Sequence, residues 1–460
     1  MSGAEPDDPE LASALRPSGP PRPIDRLLAP LQSFAQHQLA GAGLLMLATV
    51  AALVLANTGL AHDYHHLLEL ELGIEIAGHG LHKSLHHWIN DGLMGVFFFL
   101  VGLEIKRELL TGELSTLRKA TLPAIAAVGG MIVPAVIYTA LNHDGDAASG
   151  WGIPMATDIA FALGVLALLG ERVPLGLKVF LTALAIVDDI GAVLVIAIFY
   201  TSELSLIALG LGSLCVVASV VLNLLGTRNP VPYFLIGLVA MGCFLESGVH
   251  ATIAALLMAF TIPARTNIDG PDFLRKMTML LERLRSIGVP SNTEMNTNPQ
   301  QRLFESMNEL IDQASAPLQR IEHALAGPVT FVVLPVFALA NAGVTFGEGI
   351  GEAFTHPLVI GIVLGLFVGK TIGISLSAWL AVKLRLADLP GGVSWLEVVG
   401  VAMLGGIGFT MALFVAGLAF TDPAQIEAAK VGIFSGSFVS AALGYGLVLL
   451  ASARAKRAHD

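Results

Sequence analysis

Apolar runs of bilayer length divide this chain of 460 residues, and they constrain its fold more than any other feature of the sequence. Only 13% of the residues are charged, about half the share that is usual in soluble domains. A segment that crosses a bilayer forms a helix because its backbone polar groups find no water there, and it needs roughly 20 mostly apolar residues to span the hydrocarbon core. Such runs fall near residues 40–59, 88–104, 121–141, 152–170, 179–200, 204–225, 232–245, 250–263, 329–345, 357–382, 398–420 and 428–452. We therefore predict an all-α polytopic membrane protein with about 12 transmembrane helices.

The basic residues between these runs lie almost entirely on one side of the predicted membrane. They are Lys106, Arg107, Arg118, Lys119, Arg172, Arg228, Arg265, Arg275, Lys276, Arg283, Arg285, Lys383, Arg385, Arg454, Lys456 and Arg457. The loops on the other side hold Asp144, Asp146, Glu203, Glu348, Glu352 and Asp422. Because cytoplasmic loops carry the excess of lysine and arginine, both termini are predicted to be cytoplasmic.

Polar segments flank or interrupt the apolar runs. Residues 1–36 are acidic and proline-rich and contain no apolar core, which predicts a disordered cytoplasmic tail. Residues 37–263 hold the first eight predicted helices, 264–327 form an insertion, 328–452 hold the last four helices, and 453–460 form a second cytoplasmic tail. The insertion contains two amphipathic helical patterns. We expect a cytoplasmic helical hairpin there, either a solvated connector or a regulatory element.

The stretch Leu67–Leu85 alternates apolar and charged residues around a glycine. This period of two predicts a small extracytoplasmic β-hairpin. An exposed hairpin edge can pair with a second copy, so it is a candidate homodimer contact, with a solvated loop as the alternative. Histidines are dense between His62 and His87, but a solvated segment explains them better than a metal site.

Four charged residues stand inside otherwise apolar runs. Asp158 and Lys370 are each the only charge in their run, and Asp188 and Asp189 are adjacent in another. A central carboxylate costs roughly 2.5–3.5 kcal/mol on insertion scales, so these side chains are expected to meet in a shared polar cavity. A buried ion pair that only stabilises packing would account for one acid with Lys370, and it would leave the other two unpaired.

Helix geometry separates the two adjacent acids. Neighbouring residues on an α-helix point about 100° apart, so Asp188 and Asp189 cannot form a symmetrical dyad. We expect one to face a cation in the cavity and the other to face a second partner, for which Lys370 is a candidate. Acids this close are expected to titrate as a coupled set.

Two of the apolar runs contain sequence that weakens a helix. The fourth run has Pro154 and the polar Thr157 just before Asp158, and the eleventh has the glycine-rich segment "MLGGIGFTM". Weak helical sequence in one run of each half of the chain indicates discontinuous helices 4 and 11 that meet at a transport site. The ends of such half-helices carry partial charges that a nearby acid and a nearby base, such as Asp158 and Lys370, can neutralise.

Several motifs of the chain resemble those of the NhaA-type sodium/proton antiporters. They are "WINDGLMGVFFFLVGLEIKREL", "GIPMATDIAFALGVLALLG", "LAIVDDIGAVLVIAIFY", "SGVHATIAALL", "LPVFALANAGV", "LFVGKTIGISL" and "LGGIGFTMALFVA". The matches run in order from about residue 40 to residue 450 and omit only the insertions. The resemblance implies two inverted repeats, a bacterial inner-membrane location and exchange of cytoplasmic Na+ or Li+ for external H+.

The resemblance also implies roles for particular residues. Asp188 and Asp189 would carry the cation and the protons, Lys370 would be the partner of Asp188, and Thr157 and Asp158 would line the site. The residues that the resemblance implies in a pH response are Glu104, Arg107, Glu108 and Glu322. Without the resemblance, their sequence pattern indicates only a charged segment at the membrane border. His250, which opens the eighth run, is a further candidate for the pH response, although a capping histidine is the simpler explanation.

This chain departs from the family pattern at two positions. Thr371 follows Lys370 where the family often has proline, so the tenth helix is expected to be straighter there. A histidine expected near Ala326 is missing, and the preceding insertion is unusually long. These departures affect the expected pH threshold more than the expected transport chemistry.

The sequence leaves two other functional classes open. An intramembrane aspartyl protease needs two acids that converge from different helices, whereas the obvious pair here is adjacent on one. A proton-coupled carrier of organic solutes would need arginine or aromatic residues at the site to hold a larger substrate. We predict a transporter rather than an enzyme, with no cofactor, no resident metal ion beyond the transported Na+ or Li+, membrane lipid as its surroundings and no nucleic-acid partner.

Overall fold

The computed structural model describes residues 38–76, 79–201, 204–288, 295–345, 351 and 354–459. The predicted tail at 1–36 lies outside the described residues, as do the loop acids Glu203, Glu348 and Glu352. The first half of the chain contains α1 (Gln38–Ala56), α2 (Ala61–Glu69), β1 (Glu71–Ile76), β2 (His79–Ser84), α3 (Leu85–Leu110), α4 (Leu117–Leu141), α5 (Ile159–Ala167), α6 (Leu175–Phe199), α7 (Leu206–Leu224), α8 (Pro230–Glu246) and α9 (Ala251–Thr261). The second half contains α10 (Gly270–Ile287), α11 (Asn298–Ala314), α12 (Pro317–Asn341), α13 (Pro357–Lys383), α14 (Trp395–Leu404), α15 (Phe409–Ala419) and α16 (Pro423–His459).

The helices confirm a multi-pass membrane protein. Within the described part of the chain, 7 helices are long and apolar enough to cross a membrane, or up to 10 if each bent pair of helices is one span. The predicted runs at 232–245 and 250–263 form α8 and α9, which are apolar but have only 17 and 11 residues. The predicted tail at 453–460 is helical as far as His459, because α16 continues through it.

Two spans are broken near their middle. A 3₁₀ helix (Asp146–Met155) and α5 meet at an angle of 40°, and α14 and α15 meet at 46°. Pro154 lies in the last turn of the first segment, and Gly405, Gly406 and Gly408 lie between α14 and α15. At Gly406 a Cβ atom would lie 2.1 Å from the backbone oxygen of Leu366, so only glycine fits this close approach. The breaks therefore lie where the sequence predicts discontinuous helices.

The tenth predicted run forms one helix, α13, that continues through Thr371 as expected from the missing proline. One π-helical turn, Gly365–Gly369, precedes Lys370. Such turns are rare and often lie at functional sites.

The predicted β-hairpin is confirmed as an antiparallel pair of strands. Its register pairs Glu71 with Ser84 at one end and Ile76 with His79 at the other. The Trp88 indole at the start of α3 donates a hydrogen bond of 3.1 Å to the Leu72 carbonyl. The hairpin is thereby attached to the beginning of the α3 span.

Two antiparallel helices, α10 and α11, lie in the insertion. Thr297 and Gln300 form a capping box that begins α11, since each side chain satisfies a backbone amide of the first turn. Leu284 of α10 packs against Leu303 and Met307 of α11. The open end of the hairpin is closed by the Asn267 amide, which donates to the Gln313 carbonyl at 2.9 Å.

Helices α4 and α13 cross at glycines. A Cβ atom on Gly373 would lie 2.2 Å from the backbone oxygen of Gly129, so the two backbones are in direct contact. Close packing of this kind replaces the missing hydrophobic driving force between helices in lipid. The crossing places Lys370, one turn away on α13, beside the helices that carry the buried acids.

The variant Gly373→Ala is expected to lower the free energy of unfolding by about 1–3 kcal/mol, because backbone atoms cannot move away as a side chain can. The matched control is Gly446→Ala on α16, where a Cβ atom would meet no atom within 4 Å. Thermal unfolding of both variants in detergent measures the difference. Equal midpoints for the two variants would contradict the close crossing.

Candidate functional site

The buried charges of three membrane segments meet where the two broken spans cross. Asp188 and Asp189 lie on the buried side of α6, and Lys370 is fully buried on α13. The Lys370 ammonium contacts Asp188 Oδ2 and donates to the Thr157 hydroxyl at 2.8 Å. Thr157 in turn donates to the Gly405 carbonyl at 2.7 Å. A continuous chain of polar contacts therefore joins α6, α13 and both breaks.

Asp158 binds the N-termini of two half-helices. Its Oδ1 accepts from the Phe161 amide of its own helix, α5, at 2.9 Å. Its Oδ2 accepts from the Thr410 amide of α15 at 3.1 Å and from the Thr410 hydroxyl. Helix N-termini carry positive partial charge and unpaired amides, so one carboxylate stabilises both. Both oxygens of Asp158 are thereby engaged with protein groups.

Asp188 keeps one oxygen for a ligand. Lys370 contacts Oδ2, whereas Oδ1 is buried and has no hydrogen-bond partner among the described residues. An unpaired buried carboxylate oxygen is costly, so an ion or a proton is expected to occupy it. The Asp189 side chain is also buried and lies within electrostatic range of Asp188, Asp158, Glu104 and Lys370.

The donor set at this site consists of hard oxygen atoms. Carboxylates, a hydroxyl and backbone carbonyls suit Na+ and Li+, which prefer oxygen ligands, and they suit H+ equally well. No cluster of three or more His, Cys, Asp or Glu residues able to hold a metal ion is found in the part of the chain that the structure describes. His86 lies at the start of α3 and hydrogen-bonds to Asn341 at 3.1 Å rather than facing His82 on β2.

A second charged cluster lies near the end of α3. Arg107 bonds to Glu108 at 2.9 Å and to Glu322 of α12 at 3.3 Å. Glu104 lies within electrostatic range of all three residues and also of Asp189, so the cluster and the buried site interact through Glu104. The Arg107 Nε atom is buried without a hydrogen-bond partner among the described residues.

The structure does not bring His250 to this cluster. His250 precedes α9 and bonds through Nε2 to the Tyr200 carbonyl, at 2.8 Å, where α6 ends. It lines a cavity of about 360 Å³ together with Trp88 and Asp91 from the beginning of α3. Glu104 lies at the other end of that helix.

Two residues of the site were missed by the sequence analysis. Thr410 supplies the second half-helix contact to Asp158, and the Ser437 hydroxyl of α16 accepts from the Gly408 and Phe409 amides, both at 3.2 Å. The position of Thr410 at the end of the glycine-rich segment is a signal that could have identified it. Ser437 lies in a run of small residues and carries no such signal.

Comparison with known proteins agrees with this geometry. Residues 32–449 match the family described as Na+/H+ antiporter 1. A Na(+)/H(+) antiporter NhaA of Oleidesulfovibrio alaskensis is 50% identical over 433 residues, which cover 94% of this chain and 96% of that protein. The Na(+)/H(+) antiporter NhaA 1 of Saccharophagus degradans is 46% identical over 92% of this chain and 91% of its own length. A Na(+)/H(+) antiporter NhaA of Koribacter versatilis is 49% identical over the same shares. With its buried acids at the crossing of two broken spans and a match along nearly its whole length, the chain belongs to the Na+/H+ antiporter 1 family.

Proposed function

We propose that this protein exchanges cytoplasmic Na+ for external H+ and that the two ions compete for Asp188 and Asp189. The observation that carries the proposal is the buried Asp188 carboxylate, with one oxygen against Lys370 and the other unpaired. A carboxylate holds either a proton or a metal ion, so binding of one ion releases the other. Exchange then needs no separate coupling device.

Each neighbouring residue has a distinct task in this proposal. Asp189, which is buried and lies within electrostatic range of Asp188, binds Na+ with the free Asp188 oxygen and the Thr157 hydroxyl as further ligands. Lys370 balances the charge of Asp188 while the cation is absent. Asp158 is a positioning residue, because its oxygens already bind Phe161 and Thr410 of the two half-helices.

The same arrangement makes transport electrogenic. Two protons are proposed to leave for each Na+ that binds, either from the two acids or from one acid and Lys370. Every cycle then moves one net positive charge across the membrane. The proton gradient then supplies more free energy for each Na+ moved than it would in a one-for-one exchange. Alternating exposure follows if only the protonated or the cation-loaded site crosses between the two sides.

The proposed topology has 12 spans, which are the 10 candidate spans together with the shorter α8 and α9. One broken span in each half of the chain supports two inverted repeats that meet at the site. The positions of the basic residues support cytoplasmic termini, and the bacterial relatives support location in a bacterial inner membrane. The tails at 1–36 and 453–460 and the insertion at 264–327 then lie on the cytoplasmic side.

The cluster of Glu104, Arg107, Glu108 and Glu322 is proposed to adjust activity to pH, with His250 as a separate contributor at the opposite end of α3. Glu104 supports this role because it interacts both with the cluster and with Asp189. Li+ is a proposed second substrate, since it has the same charge and ligand preference as Na+. The edge of the β1–β2 hairpin is the proposed contact of a homodimer.

Proton flux in everted vesicles tests the proposed function. Na+ and Li+, but not K+ or organic cations, are expected to release accumulated protons from vesicles that contain the protein. Because Na+ binds only the deprotonated acids, the apparent KM for Na+ should rise about tenfold for each competing proton when the pH falls by one unit.

A carrier of organic solutes would instead respond to a solute and not to Na+. A KM for Na+ that is independent of pH would contradict competition at the carboxylates. The protease alternative is not favoured, since Asp188 and Asp189 lie on a single helix, α6.

A further inference from the structure

The α10–α11 hairpin of the insertion leaves part of its apolar surface uncovered. On α10, Met277, Leu280 and Leu284 contact α11, whereas Leu274 and Leu281 remain 64% and 46% exposed. On α11, Leu303 and Met307 face α10, whereas Ile311 is 47% exposed. Both helices therefore have an apolar sector that is wider than their contact with each other.

The two uncovered sectors lie on the same side of the hairpin. At 100° per residue, Leu274 and Leu281 follow the buried face of α10 by about a quarter turn in the N-to-C sense of rotation. Ile311 follows the buried face of α11 by a similar angle in the same sense, and Phe304, which is half-buried against the hairpin core, lies beside it at the border of the contact. Two antiparallel helices in contact are related by a two-fold axis that is perpendicular to the plane containing both helices. Sectors that are displaced from the contact by the same angle in the same sense therefore lie on one side of the pair.

We call this surface the apolar strip, and it consists of Leu274, Thr278, Leu281 and Arg285 on α10 with Phe304, Asn308 and Ile311 on α11. Its only charged residue is Arg285. The carboxylates Glu305 and Glu309 of α11 lie about 100° or more from Phe304 and Ile311, whereas Asp312 of α11 and Glu282 of α10 lie at the borders of the strip, about a quarter turn from its apolar residues. Helix α10 as a whole carries four basic residues and two acidic ones, whereas α11 carries one basic and three acidic.

Both ends of the hairpin are attached to membrane helices. The Leu318 amide, in the first turn of α12, donates to the Pro263 carbonyl just after α9 at 3.0 Å. The hydrogen bond between Asn267 and Gln313 joins the segment that enters the hairpin to the segment that leaves it, a few residues from that point in the sequence. The hairpin therefore starts and ends at the membrane border, and a bilayer surface is always within its reach.

We propose that the apolar strip docks on the anionic cytoplasmic leaflet of the membrane. An interfacial helix places apolar side chains among the acyl chains and basic ones among the headgroups, and it keeps carboxylates in water. The strip has this distribution, with Leu274, Leu281 and Ile311 as the inserted residues and Arg285 at the phosphate level. The proposal rests on the cytoplasmic position of the insertion and is independent of the ion chemistry at Asp188 and Asp189.

Spin labels on two neighbouring positions of α10 test the docking in the full-length protein. Leu281→Cys lies in the strip, and Met279→Cys is its matched control, since Met279 is also apolar and 60% exposed but points away from the strip. Both are made with Cys215 and Cys243 replaced by alanine and are reconstituted in phosphatidylcholine vesicles with or without phosphatidylglycerol. The label at 281 is expected to become accessible to oxygen and protected from a water-soluble nickel complex in the anionic vesicles, while the label at 279 stays accessible to nickel.

A second variant measures the electrostatic contribution of Arg285 to docking on the membrane. Arg285→Gln is expected to reduce the ratio of docked to undocked hairpin roughly fivefold in anionic vesicles. Sodium-dependent proton flux measured on the same vesicles shows that the protein is folded and active, so a failure of docking is distinguished from a failure of the proposed exchange.

Three outcomes would overturn the proposal. Equal nickel accessibility at 279 and 281 in anionic vesicles would show that the apolar strip is exposed to water and is not docked on the membrane. Dipolar broadening between the labels of two copies that increases with protein density would assign the strip to a second copy. Protection of 281 only after addition of a soluble protein fraction would assign it to a soluble partner.

Discussion

Replacing Asp189 with asparagine is expected to reduce Na+-dependent proton release from everted vesicles to the level of vesicles that lack the protein. Asparagine has nearly the same shape, but it cannot carry a proton or neutralise a cation at neutral pH. Asp188→Asn is expected to have the same effect, because it also removes the charge that Lys370 contacts. Asp189→Asn should still be purified as folded protein, since it hardly changes the side-chain volume. Asp188→Asn leaves the buried Lys370 without its counter-charge, so thermal unfolding in detergent is measured beside its activity.

The control for these variants is Asp388→Asn. Asp388 is an exposed acid that bonds to Arg118 at 2.9 Å, outside the buried site, and exposed pairs of this kind contribute at most about 1 kcal/mol. Normal exchange is expected in that variant. Normal exchange in Asp188→Asn or Asp189→Asn would remove the carboxylates from the transport cycle.

Replacing Lys370 with methionine is expected to lower the free energy of unfolding by about 3–5 kcal/mol. The reason is that Asp188 would lose the one counter-charge that contacts it among the described residues while it remains buried. Thr157 would also lose a donor, since the Lys370 ammonium bonds to its hydroxyl. Thermal unfolding in detergent at neutral pH measures the loss.

A double variant separates charge from packing in this test. Lys370→Met combined with Asp188→Leu leaves no unpaired charge and is expected to recover most of the lost stability, although not the exchange. Lys119→Met is the matched control, because Lys119 pairs with Glu113 at 3.3 Å on an exposed surface, where a change below about 1 kcal/mol is expected. If the single variant Lys370→Met were as stable as the wild type, the pairing with Asp188 would not stabilise the fold.

The electrostatics of the site also account for the position of Asp158. Its two oxygens satisfy amides from α5 and α15, which come from opposite halves of the chain. Ser437 satisfies two further amides of α15 from the neighbouring α16. The broken spans are therefore held by side chains and leave their remaining polar groups for the ion.

Much of this arrangement could be predicted from the sequence because the relevant costs are local. An apolar run of about 20 residues is a membrane span wherever it packs, and a carboxylate inside it is costly in any fold. The same reasoning identified Asp158, Asp188, Asp189 and Lys370 as residues that must meet other polar groups. Proline and glycine weaken a helix through their own backbones, so the two breaks were also visible.

The partners of these residues could not be predicted in the same way. Lys370 and Asp188 are 182 positions apart, and Asp158 and Thr410 are 252 apart, so their contacts depend on how whole helices pack. Likewise, the sequence makes His250 a further candidate for the pH response beside the residues of α3, but the structure places it at the other end of that helix, near Trp88. Helical periodicity gives the direction of a side chain around its own axis and contains no information on the neighbouring helix.

The sequence by itself determined the membrane class, the β-hairpin, the two breaks and the identity of the buried charges, because hydrophobicity, strand alternation and backbone propensity act over a few residues. Only the tertiary structure decided that Lys370 meets Asp188 and Thr157, that Asp158 binds both half-helices through Thr410, and that α10 and α11 leave their uncovered residues on one side. The reason is that each of these contacts depends on the relative rotation of two helices. That rotation is set by close packing at positions such as Gly129 and Gly373.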